Sequence, residues 1–199
     1  MRRSMLVFGL VAAATMLGPS AGAQETKDSP GQALPMARPG PEHEILARDE
    51  GVWEAKVELR VDPNGKPTTA KGVETITVIG DGLWQLKDFR GEFLGVPYRG
   101  HTITGYDQRK KAYVGTWVDS LASGLTTIEG TFDKKTNTLS ARIEGDCPDG
   151  TAMKTRATTE HKADGTRVFT LYSPPEMGPE FAMMTITSTR RPAVANATR

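Results

Sequence analysis

The chain has 199 residues, 25 basic against 24 acidic side chains, 37% hydrophobic residues and a single Cys. That length fits one domain with tails. A formal charge of +1 supplies no global field for a phosphate backbone, and no local Lys/Arg patch compensates, which excludes a dedicated nucleic-acid binder.

Arg2 and Arg3 precede an apolar run from Met5 to Leu17, and Ala21-Gly22-Ala23 has the small-x-small form of a signal peptidase site. Residues 1–23 are therefore expected to be a cleaved export signal, with soluble periplasmic or secreted residence after removal. The apolar run is short of the roughly 20 residues that span a bilayer, so no stable membrane anchor is expected. The Arg2-Arg3 pair also allows a twin-arginine reading with a very short n-region. Cleavage after Ala23 removes two Arg and no acid, leaving 23 basic against 24 acidic residues, a nearly neutral exported chain.

An exported protein can use disulfides, yet Cys147 has no internal partner and stability must come from burial. Gly145-Asp146-Cys147-Pro148-Asp149-Gly150 has turn composition, so Cys147 is either a reactive or intermolecular thiol or a small loop residue. Residues 24–40 are polar, rich in Pro, Gly and Ser and aperiodic, which predicts a disordered linker; residues 192–199 form a similar flexible tail. Between them, residues 41–191 form the folded domain.

Pro41 to Glu50 predicts one short helix, with Pro at a first helical position and Ile45 and Leu46 as its apolar contacts. The period then changes. From Trp53 to Asp62 apolar and charged residues alternate strictly, the mark of a strand with one buried and one wet face. Asp62-Pro63-Asn64-Gly65-Lys66 follows as a turn. The same grammar predicts further strands over Thr69–Ile79, Leu83–Phe93, Tyr98–Tyr106, Ala112–Ser120 and Gly124–Asp133. Thr138–Glu144, Ala152–Lys162, Arg167–Ser173 and Glu180–Arg190 complete about ten, separated by short Gly/Asp/Asn/Lys turns. With no second helix to make crossovers, an all-β antiparallel up-and-down meander is expected. Closing it into a barrel removes the sheet edges, and about ten strands leave a lumen wide enough for a ligand.

Gly51-Val52-Trp53 opens the first strand and Thr189-Arg190 ends the last, so closure would set a guanidinium over an indole face. This Gly-x-Trp with a terminal Arg resembles the barrel-closing signature of the lipocalin and calycin group. A wider set of segments resembles a bacterial family, domain of unknown function 1579 (DUF1579). These are Pro41-Glu42-His43 before Gly51-Val52-Trp53, Gly105-Tyr106-Asp107, Trp117-Val118-Asp119, and Phe181-Ala182-Met183-Met184 running into Thr189-Arg190. The resemblance spans Pro41 to Arg190 and implies an exported lipocalin-like barrel, with no activity to carry over.

Alternation places Tyr113, Gly115, Trp117 and Asp119 on one strand face. If that face is inward, Asp119 is an acid among aromatics that needs a donor or an elevated pKa, with Arg156 as a candidate partner. It would then orient a polar ligand head or act as a base; alternatively it caps the turn after its strand. Trp84, Tyr98, Tyr172 and Met183 supply further candidate lining, which as single residues are equally ordinary core. The ligand these residues suggest is a small apolar or amphipathic molecule. The alternative is an enzyme using Asp119 with Arg156 or a nearby Tyr as an acid/base pair in the same cavity. A surface interaction module, with the barrel as scaffold, is a third possibility. His43, His101 and His161 lack metal-ligand spacing, so no metal and no cofactor is expected, although His161 or His101 could serve a haem as a lone axial ligand. Ser120 and Ser123 lie in no nucleophile elbow.

Overall fold

The structure, a computed structural model, describes residues 37–146 and 150–192. The expected signal peptide, most of the expected linker and tail, and Cys147 lie outside the described residues. A 3-10 turn at Pro41–His43 runs into a single helical turn, α1, at Glu44–Ala47. The ten strands are β1 (Gly51–Leu59), β2 (Thr68–Ile79), β3 (Trp84–Phe93), β4 (Val96–Asp107) and β5 (Ala112–Asp119), then β6 (Thr126–Asp133), β7 (Thr138–Asp146), β8 (Ala152–His161), β9 (Arg167–Tyr172) and β10 (Ala182–Arg190). Each strand pairs antiparallel with its sequence neighbours, and β10 closes on β1, giving a closed up-and-down barrel. Strand ends fall within about three residues of those expected from turn chemistry. One further 3-10 turn, Pro175–Met177, was not foreseen; it sits in the β9–β10 connection, where Pro174 and Pro175 fix consecutive φ angles.

Closure follows the chemistry read from the two strand ends. Trp53 and Arg190 are register partners, and the Arg190 guanidinium carbon lies 4.3 Å from the indole centroid. Arg190 also donates to the backbone carbonyls of Glu50 and Arg48, tying the last strand to the segment after α1. The helical segment plugs this end of the barrel through three polar ties. Gln85 donates to the Leu46 carbonyl at 2.7 Å, Tyr113 to that of Glu42 at 2.8 Å, and Trp53 Nε1 to that of Asp49 at 2.8 Å. Each satisfies a backbone oxygen that a short buried helix would otherwise leave orphaned.

The interior is unevenly filled. On one wall Ala55 and Val57 of β1 and Phe89 of β3 form the packed core, with Tyr98, Trp117, Met184 and Ile186 against it. Across the barrel, Gly130, Ala141 and Ala157 are register partners on the inner faces of β6, β7 and β8. Three small residues in a row cannot reach the opposite wall. They leave the lumen open.

Candidate functional site

The lumen is a cavity of about 500 Å³, within the range of small-molecule sites. It opens at the end opposite α1, between the β1–β2, β3–β4, β5–β6 and β9–β10 connections. Large apolar side chains stand exposed at that end: Val61, Leu94, Val96, Leu121, Leu125 and Met177. Its walls are mostly apolar, including Phe93, Ile128, Leu139, Phe169 and Leu171.

Five of the residues expected from sequence meet in this cavity: Tyr98, Tyr113, Trp117, Asp119 and Met183. Tyr98 and Trp117 are stacked, with centroids 6.3 Å apart and planes inclined by 25°, and Phe89 and Phe93 lie within 6.0 Å of Tyr98. Gly100 makes room for this arrangement. A Cβ there would fall 2.2 Å from the Trp117 ring. Met183 reaches the lumen beside Met184 because the β9–β10 register slips between Ala182 and Met184.

Asp119 caps the turn after its strand, one of the roles expected for it, and also holds two aromatic side chains. One oxygen accepts from Trp117 Nε1 at 2.7 Å and Tyr98 Oη at 3.1 Å, while the other accepts the backbone N–H groups of Leu121 at 2.8 Å and Ala122 at 3.2 Å. Four donors fill the roughly four lone-pair positions of a carboxylate. The acid therefore orients the aromatic pair and caps the turn. Burial, and after it the neighbouring Asp119 charge, hold the Tyr98 phenol far above the ordinary tyrosine range, so it stays a donor. Burial likewise pushes Tyr113 up to about 12.

Three expected site residues lie elsewhere. Arg156 is not a partner of Asp119: inward positions on β8 are odd-numbered, and Arg156 points outward to chelate Glu180 at 2.8 and 2.6 Å. Tyr172 is outward by the same parity on β9 and lies under the Arg156 guanidinium at 3.4 Å. Trp84 covers Gly105 on the outer wall, where a Cβ would come within 2.4 Å of the indole, and remains 40% exposed. The acid/base pair of Asp119 and Arg156 is thus not assembled. His101 is exposed beside Asp88 on the outside of β4, and His161 Nε2 is held by Asp49 at 3.0 Å, so neither histidine lines the cavity. Among the described residues no cluster of three His, Cys, Asp or Glu could hold a metal ion, and no helix is long and apolar enough to cross a membrane.

Sequence reasoning missed a polar cluster at the α1 end of the lumen. Arg167 of β9, 3% exposed, pairs with Asp49 at 3.0 Å and contacts Glu74 of β2, while its guanidinium lies 4.7 Å from the Trp53 centroid. Burial works against the Asp49 charge, but the His161 hydrogen bond and the Arg167 charge outweigh it and hold its pKa well below the carboxylate range. An ionised carboxylate only accepts, so His161 Nε2 carries the proton, and among the described residues its buried Nδ1 has no hydrogen-bond partner. Lys87 of β3 also faces the lumen. Burial depresses its pKa, opposed by the Asp49 charge. The available signal was a set of charged residues at inward parity, Glu74, Lys87 and Arg167, within otherwise apolar faces.

A closed ten-stranded meander with a plugged end, an open end and an internal cavity defines a lipocalin/calycin-like barrel. The chain belongs to the family described as Protein of unknown function (DUF1579), whose model matches residues 38–190. Among solved structures it is similar to Rv2717c from M. tuberculosis, with a TM-score of 0.58 at 12% identity, over 77% of this chain and 99% of that one. At that identity the likeness concerns the fold alone. Among curated proteins no match is found.

Proposed function

We propose that the protein is exported and holds a small apolar or amphipathic molecule in its barrel. The observation that carries this reading is the cavity of about 500 Å³, unfilled because Gly130, Ala141 and Ala157 meet on its inner wall. An apolar void that size is stabilised by an occupant through burial of its lining, at about 25 cal/mol per Å². The aromatic pair clamped by Asp119 gives the occupant a rigid face, which limits the ordering cost of binding. Export is supported by the charged, apolar and small-residue segments before Gln24.

Native mass spectrometry of the protein from the extracytoplasmic fraction of its host tests both parts. The expected spectrum is that of a chain beginning at Gln24 carrying a non-covalent adduct. Ala141→Trp, which would fill the lumen from the small-residue row, should fold and lose the adduct. A wild-type spectrum without adduct, together with no uptake of an apolar fluorescent dye, would reject the binding role.

A further inference from the structure

We infer that the polar end of the lumen is a carboxylate site, and that the ligand is an amphipathic acid bound head-first, its carboxylate on Lys87 Nζ. The inference rests on the binding role proposed above and specifies its ligand. Arg167 already engages both acids: buried Asp49 at 3.0 Å, and half-buried Glu74 in direct contact. Asp49 is further occupied by His161 at 3.0 Å. Among the described residues at this end of the lumen, Lys87 is the ionisable group left over. Among the described residues no hydrogen bond or ion pair engages its side chain, and only the charge of Asp49 acts on it from further away.

The surroundings of Lys87 are rich in donors. Thr102 is its register partner on β4, and Thr104 lies two residues along the same inner face; both are buried and line the cavity. Directly opposed side chains on paired strands have Cβ atoms about 5 Å apart, close enough for an ammonium and a hydroxyl to hold one ligand group. Neither hydroxyl makes a side-chain hydrogen bond among the described residues. A neutral head would leave the ammonium unpaired in an apolar enclosure, whereas a carboxylate accepts from the ammonium and both hydroxyls. The apolar walls and the exposed apolar rim then follow the tail from Phe89 towards the mouth at Leu121 and Met177.

Isothermal titration of the full chain with dodecanoate and with dodecan-1-ol, for wild type, Lys87→Met and Thr102→Val, tests the assignment. Wild type should bind the acid at least about tenfold more tightly than the alcohol. Lys87→Met, which keeps side-chain length, should lose that preference while binding the alcohol at least as well, and Thr102→Val should weaken only the acid. Alcohol binding reports a folded, open lumen in each variant. Equal affinity of wild type for acid and alcohol overturns the carboxylate site and leaves the binding role standing; so does an acid preference that survives Lys87→Met. Failure of wild type to bind either removes the binding role and this assignment together.

Discussion

The two ends of this barrel are built from opposite chemistry. At the plugged end a polar network, Asp49, His161, Arg167 and Glu74, is sealed under α1 and the Trp53 indole, with Arg190 laid over that ring. At the mouth, Val61, Leu94 and Leu125 are more than half exposed and the lumen lies open between loops. A folded chain in water normally distributes its polarity the other way, with apolar groups sealed and charges wet. The inversion teaches that the plugged end is where the ring is locked shut, while the mouth is left open and apolar.

Trp53→Ala should produce the largest effect, because one ring serves both guanidinium groups, donates to the Asp49 carbonyl and is 3% exposed. Removing a fully buried Trp costs about 3–5 kcal/mol, which for a domain of this size lowers the melting temperature by about 10 °C. Thermal unfolding followed by circular dichroism measures it. A loss below about 1 kcal/mol would show that strand pairing alone holds the ring closed.

Most of this architecture was legible in the sequence, and the exceptions share a cause. Turn residues and strict alternation from Trp53 to Leu59 marked strands whose outward residues are charged and whose inward ones are apolar. That rule failed on β3, where Gln85 and Lys87 point in and Trp84 points out. Gln85 is inward because the Leu46 carbonyl needs a donor, and Trp84 is outward because Gly105 leaves it a shelf. Both reasons depend on elements distant in sequence. Arg156 and Tyr172 were misassigned through strand parity: chemistry suggested a partner for Asp119, but even positions on β8 and β9 face out. Asp119 and Trp117 were readable because they lie two apart on one strand, where alternation alone sets their common face.

Acid should separate the two ends next. Asp49 has a folded pKa far below its unfolded value near 3.9, through His161 and Arg167 acting against burial. A depressed acid contributes stability that is present above the unfolded pKa and is lost as pH falls through it towards the folded one. Stability should therefore decline below about pH 4, this single group accounting for up to about 1.4 kcal/mol per pH unit. Asp49→Asn should be less stable at neutral pH and have a shallower decline, read from urea unfolding between about pH 2 and 7. An unchanged slope in Asp49→Asn would place the acid sensitivity in surface carboxylates such as Asp88 and Asp107, whose pKa values are also lowered, by Arg90 and by the Lys110 and Arg109 backbone amides respectively.

The smallest effect belongs to Asp119, which is half-buried near the mouth and whose work is orientation. Asp119→Ala removes the acceptor of Trp117 Nε1 and Tyr98 Oη and the cap on Leu121 and Ala122. Water at the mouth can replace the two backbone contacts, so the stability loss should be only about 1–2 kcal/mol. The indole, by contrast, loses its fixed partner inside an apolar wall, and rotation away from Tyr98 would narrow the lumen. Tryptophan emission should change in Asp119→Ala and dodecan-1-ol affinity should fall, while Asp119→Asn, whose amide oxygen still accepts, should recover most of both. If Asp119→Ala binds the alcohol as wild type does, the aromatic face is held by packing against Phe89 and Phe93 alone, and the mouth owes its shape to the same kind of contact that fills the β1 wall.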